Sequence, residues 1–144
     1  MQWGLKTMSE KPKVVLVVDD EDTMREIIQL NLSRSSIPIT VHNASTGEEG
    51  VALYRMLCER GEKPDLVVMD INLTQWGRGA IDGVEATRQI MAFDPDAVIY
   101  GYTAWFTHGV EKQLIDAGAK QVIERTVRPS EFRKIVEEYL SSGE

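Results

Sequence analysis

Two rhythms of apolar and polar positions alternate along this chain. Short apolar runs at residues 14–18 (VVLVV), 39–42 (ITVH), 66–69 (LVVM), 98–102 (VIYGY) and 121–123 (QVI) read as strands. Several are apolar at nearly every position, which points to parallel strands buried on both faces. The segments between them carry apolar residues at helical spacing. Asp22 caps a predicted helix over residues 22–32, with Met24, Ile27, Ile28 and Leu30 as its inward stripe, and Thr46 caps a second through Arg60, using Ala52, Leu53, Met56 and Leu57. Gly61 ends the second. A third helix runs from Gly83 to Met91, stopped by Phe93 and Asp94-Pro95; a fourth follows Thr107 and closes at Ala117-Gly118-Ala119. The fifth starts near Pro129 and turns Phe132, Ile135, Val136 and Leu140 inward. The order is five βα units in one layered α/β domain.

A length of 144 residues suits one core and is short for two. The expected division is an N-terminal extension over residues 1–12, a domain over 13–140 and a tail over 141–144, with no room for an output domain. The net charge of −7 argues against sequence-independent nucleic-acid binding, which needs a basic face. No apolar stretch approaches the roughly 20 residues of a membrane span, and the N-terminus lacks the apolar block of a signal peptide. Cys58 is alone, so an internal disulfide is excluded and a reducing, cytoplasmic setting is expected.

Chemistry enters where two apolar runs end in acids. Residues 14–18 stop at Asp19 and Asp20, and residues 66–69 stop at Asp70. In an open parallel sheet, ligands bind beyond the carboxyl ends of the strands, near the switch point in strand order. With a flavodoxin-like doubly wound order 2-1-3-4-5, those two strands are neighbours and three carboxylates converge. Unpaired, they would repel one another and raise a pKa. A hard cation with oxygen ligands, Mg²⁺ or Mn²⁺, resolves the repulsion and turns a carboxylate into an acceptor for phosphoryl transfer. Thr103 offers a hydroxyl at the same sheet edge, and the small Ala104 leaves room beside it. The fifth strand should add a positive charge: Arg125, with Arg128 as its rival.

These residues, in this order, match a family. The acidic pair with its following glutamate (DDE), the strand-ending Asp70, Asp82-Gly83 opening the third helix, Thr103-Ala104 and the AGA before the last strand together resemble a response-regulator receiver domain of the stand-alone chemotaxis type, over about residues 13–140. The resemblance implies that Asp70 is a phosphoacceptor and that Asp19 and Asp20 are metal carboxylates. It implies further that Asn72 lends a backbone carbonyl to Mg²⁺, and that Thr103 is the switch hydroxyl. The implied phosphodonor is a sensor histidine kinase or a phosphotransfer protein. The implied output surface is the face of the fourth helix, fifth strand and fifth helix, signalling by protein contact.

Three departures from the family pattern stand out. The family's Lys-Pro after the fifth strand is Arg125-Thr126; Arg125 is preferred to Arg128 because VRPSEF then leads into the last helix without a gap. Arginine keeps the charge but not the point-charge geometry of lysine. The loop after Asp70 is long and carries Trp76, a candidate lid or partner anchor, as is Trp105 after Ala104. Val122 stands where the family often places a mobile aromatic. Two rival readings follow: a scaffold that binds partners without phosphorylation, and a phosphohydrolase of the haloacid-dehalogenase type. Asp20-Glu21-Asp22-Thr23 fits the latter poorly, with its threonine one position early.

Overall fold

Strand composition explains the centre of the molecule. The computed structural model describes residues 11–71, 80–104 and 109–142. Within them, five strands, β1 (Lys13–Val18), β2 (Ile39–Ala44), β3 (Leu66–Met69), β4 (Ile99–Thr103) and β5 (Gln121–Glu124), form one parallel sheet in the order β2-β1-β3-β4-β5. Four helices intervene, α1 (Asp22–Ser33), α2 (Gly47–Glu59), α3 (Gly83–Phe93) and α4 (Val110–Ala117), and α5 (Pro129–Ser142) follows the last strand. This is the expected doubly wound, flavodoxin-like topology.

Alternation within each strand divides the core between two layers. Leu16, Val18, Val67, Met69 and Ile99 pack with Val51, Tyr54, Val84, Ile90 and Leu114 from α2, α3 and α4. Val15, Val17, Leu66, Val68, Tyr100, Tyr102 and Ile123 face Ile28, Leu32, Phe132, Val136 and Leu140 from α1 and α5. Every β3 side chain is buried, as a central parallel strand requires. A polar latch joins the two helices of the second layer. The buried Asn31 of α1 donates to the Pro129 carbonyl and accepts from Arg133 Nη1, each at 2.8 Å.

The helix stripes differ in detail from the periodicity. Ile27 and Leu30 of α1 are exposed, as are Ala52 and Met56 of α2, while Tyr54 is wholly buried. Tyr54 is tolerated inside because its hydroxyl donates to Asp94 Oδ2 at 2.7 Å. Burial and this bond push its pKa up. Asp22 is not the cap of α1: the N-cap is Glu21, without a side-chain bond, and Asp22 is already helical and pairs with Arg25. Thr46 does cap α2, accepting from Glu49 N at 3.0 Å, and Asp82 caps α3 by accepting from Glu85 N at 2.9 Å.

At Gly83 it is backbone that leaves no space for a side chain. Its amide donates to the Ile71 carbonyl at 3.0 Å, and a Cβ built there would lie 2.1 Å from the Asp70 carbonyl oxygen and 2.7 Å from Ile71 Cα. Helix α3 thus starts directly against the backbone that ends β3. Since the obstacle is backbone, Gly83→Ala is expected to destabilise by about 3 kcal/mol, the upper end for overpacking, read as a lower urea midpoint. Gly61→Ala, with open space around it and only a φ of +75° to overcome, is expected to lose about 1 kcal/mol.

Candidate functional site

The register of the sheet assembles the site. Val18 pairs with Met69, and the Asp70 amide donates to the Val18 carbonyl at 3.0 Å, so the residues that follow, Asp19 and Asp70, leave adjacent strands side by side. Thr103 ends β4 opposite Glu124 of β5, and Arg125 N donates to the Thr103 carbonyl at 2.9 Å. One edge therefore carries Asp19, Asp20, Asp70, Thr103 and Arg125. The first four are buried, Thr103 completely. Ala104 lies beside them, exposed.

Arg125 is the hub. Its Nη2 pairs with Asp19 Oδ2 and lies 3.2 Å from Asp70 Oδ2, while Nη1 donates to Glu21 Oε1 at 2.9 Å. The guanidinium lies over the Tyr102 ring, 5.3 Å from its centroid. Asp70, Asp19 and Glu21 hold the Arg125 pKa up although burial works the other way. Arg128, the rival, is exposed at the start of α5 and its carbonyl accepts from Glu131 N and Phe132 N.

The carboxylates remain in excess. Ligand oxygens of Asp19, Asp20 and Glu21 all lie within 4.8 Å of one another. Asp19 Oδ1 accepts from Glu21 N at 2.9 Å, and its carbonyl accepts from Arg25 Nη1 at 2.6 Å. Burial and the neighbouring Asp70 push the Asp19 carboxyl up to about 7, against the pull of Arg125. Four acids thus gather at this edge, and one guanidinium pairs with three of them, Asp19, Asp70 and Glu21. The donors are all carboxylate oxygens, so the chemistry of the set fits a hard divalent cation and the charge it would bring.

Two contributors escaped the sequence reading. Glu21 was visible as the third letter of DDE, and Tyr102 as an aromatic directly before Thr103; neither carries a signal of its contact with Arg125. Asn72, Trp76 and Trp105 lie outside the described residues. Val122 is half-buried and packs against the α2–α4 layer.

Comparison with known proteins shows the family and the fold. The family model of the response regulator receiver domain matches residues 15–137. Protein CcdB of Bacillus subtilis is 36% identical over 123 residues, covering 85% of this chain and 91% of that protein. The chemotaxis protein CheY of Thermotoga maritima is 32% identical over 118 residues, covering 82% and 89%. Among solved structures, the CheX–CheY–BeF3–Mg complex of Borrelia burgdorferi superposes with a TM-score of 0.77 at 23% identity, covering 93% of both chains. The chain belongs to the response regulator receiver domain family. It is a CheY-like receiver of two-component signalling. No helix among the described residues is long and apolar enough to cross a membrane.

The raised Asp19 pKa has a signed consequence for stability. Between the usual value of 3.8 and about 7, the folded protein keeps a proton on Asp19 that the unfolded chain has released. Stability without divalent cations is therefore expected to fall as pH rises through that window, by up to about 1.4 kcal/mol per pH unit. Urea denaturation of the protein and of Asp19→Asn, from pH 4 to pH 7 in chelator, checks this; the variant is expected to lose that component of the slope.

Proposed function

We propose that this receiver takes a phosphoryl group onto Asp70 from a phosphohistidine on a sensor histidine kinase or a phosphotransfer protein. The observation that carries the reading is the arrangement around Asp70: a buried carboxylate at a strand end, with a guanidinium 3.2 Å away and the Asp19 carboxylate sharing that same nitrogen. The Asp70 carboxylate supplies the nucleophilic oxygen at that edge. One oxygen of Asp70 attacks phosphorus in line, the P–N bond breaks, and its electron pair leaves with the imidazole, which takes up a proton. Arg125 and Thr103 are placed to receive phosphoryl oxygens, Arg125 by charge-assisted bonds and Thr103 by its hydroxyl, with Ala104 leaving room.

Asp19, Asp20 and Asp70 would hold Mg²⁺, which offsets the negative charge of the incoming phosphoryl group. The Borrelia CheY structure, which contains BeF3 and Mg, supports this reading. The domain spans residues 13–140, consistent with β1 starting at Lys13 and the last core side chain of α5 being Leu140. The output is protein contact through the face of α4, β5 and α5. With valine at position 122, that face changes without a rotating aromatic there.

A second reading, a scaffold that needs no phosphorylation, draws on the same Arg125 contacts, since the acceptor already has a cation partner. Intact mass after incubation with acetyl phosphate and Mg²⁺ separates the two. The expected result is one phosphoryl adduct, absent in Asp70→Asn and in chelator. No adduct would favour the scaffold. Sustained turnover of a phosphate ester would favour a phosphohydrolase.

A further inference from the structure

Strand β2 forms one edge of the sheet. It pairs with β1 on one side and has no neighbouring strand on the other among the described residues. The amides of Lys13 and Asp19 donate to the carbonyls of Pro38 and Ala44, at 2.9 and 3.0 Å. In that parallel register Thr40, His42 and Ala44 turn their backbone groups to β1, and Ile39, Val41 and Asn43 turn theirs outward. The N–H and C=O groups of those three residues therefore line the edge. Proteins blunt such edges with charge, proline or a bulge, yet the strand ITVHNA contains neither a charged residue nor a proline. The opposite edge strand, β5, carries Glu124. Within β2, His42 Nε2 and Asn43 Oδ1 are buried without a hydrogen-bond partner, so the strand is incompletely satisfied in the single chain.

The helices on either face of this edge carry matching stripes. On α1, Glu26, Gln29, Leu30 and Ser33 border a shallow groove, and the Gln29 side chain accepts from Asn43 Nδ2 at 2.8 Å, which places the stripe beside β2. Leu30 is 59% exposed. On α2, Glu49, Ala52, Leu53 and Met56 border a second groove together with Asn43, and Met56 is 37% exposed. Each apolar stretch has an acid one turn before it and an arginine one turn after it: Glu26, Leu30 and Arg34 along α1 and its C-cap, and Glu49, Leu53, Met56 and Arg60 along α2 and its C-cap. Glu26, Arg34 and Arg60 are exposed and make no ion pair among the described residues. Such an order of charges complements itself when run antiparallel.

We propose that the β2 edge is a homodimer interface, in which two copies of this chain pair their β2 strands antiparallel about a twofold axis at Val41. Val41 then faces the partner's Val41, and Ile39 faces the partner's Asn43. Each outward pair exchanges two hydrogen bonds, about six in all. The axis stands perpendicular to the sheet, so α1 meets α1 and α2 meets α2: Leu30 opposes the partner's Leu30, Glu26 the partner's Arg34, and Glu49 the partner's Arg60. Twofold symmetry makes each ion pair twice. Strand pairing alone is a small contact, and the two helix stripes carry it towards the roughly 800 Å² per partner of a standard interface. Charge complementarity selects a second copy over an unrelated extended segment, since both helices present the same order of acid, apolar residue and arginine. The face of α4, β5 and α5 lies at the opposite edge of the sheet and stays uncovered.

The test is sedimentation equilibrium on the full chain from micromolar to millimolar concentration, with hydrogen exchange of the β2 amides read at both ends of that range. The expected result is a monomer–dimer equilibrium, with the Val41 and Asn43 amides exchanging about tenfold more slowly when concentrated. Glu26→Arg is expected to weaken the dimer about tenfold, because the exposed pair is lost twice, and Glu26→Arg combined with Arg34→Glu is expected to restore it. Leu30→Lys, at an exposed position that leaves the core intact, is expected to weaken it about a hundredfold by removing the apolar contact on the axis. A chain that stays monomeric throughout would overturn the proposal and leave the edge to an extended segment of another protein. A dimer indifferent to Leu30→Lys and to the charge exchange would overturn it too, as would β2 amides whose exchange does not change with concentration. None of these readouts depends on phosphorylation of Asp70.

Discussion

Like charges buried side by side at one end of the sheet are the constraint on which the rest of the structure depends. Parallel pairing of β1 with β3 makes Asp19 and Asp70 neighbours by register, and both are nearly sealed from water. Desolvation and mutual repulsion raise the free energy of such a pair, as the elevated pKa of Asp19 records. A positive group is therefore required, and within the described residues the chain brings one, Arg125, from the far side of β4. The loop after β5 is tied down accordingly, through Arg125 N on the Thr103 carbonyl and through the Asn31 bond to the Pro129 carbonyl.

Rigidity of the framework is what lets that charge arrangement persist. The strands that present the acids are packed from both faces, so the ends of β1 and β3 cannot spread apart to relieve repulsion without opening two core layers. On the other side, α3 begins in backbone contact with the Asp70 carbonyl at Gly83. Prearranged electrostatics of this kind needs walls that do not relax. Among the described residues of the site, Glu21 and Ala104 are the exposed ones.

Arginine in place of the family's lysine gives this receiver a different resting state from one with an ammonium. A lysine delivers one compact charge, whereas Arg125 connects Asp19, Asp70, Glu21 and the Tyr102 ring. Through Tyr102 it also touches the packing of Phe132, and hence of α5. The site and the helix expected to face partners therefore share a side-chain contact, although Val122 offers no aromatic there.

How much was legible in the sequence follows from the range over which each feature is encoded. Strand positions and their parallel arrangement were legible, because a run such as VVLVV has no other economical use than a strand buried on both faces. Asp19, Asp20 and Asp70 were legible as a cluster, because strand ends in an open parallel sheet share one edge. The inward faces of α1 and α2 were read less well: Ile27, Leu30 and Met56 fit the apolar period, but the sheet contacts a narrower stripe, and Tyr54 enters it with Asp94, forty positions away, as partner. Helix α1 lost its expected Asp22 cap because the acid turned to Arg25 instead. The sequence by itself determined the element order, the sheet edge and the acids on it, since these depend on local pattern and topology. Only the tertiary structure decided that Arg125 rather than Arg128 reaches those acids, that Glu21 holds its other end and that Tyr102 lies beneath it. Those contacts join residues as much as 106 positions apart, and a charge finds its partner through the register and packing of the whole sheet, which no local pattern encodes.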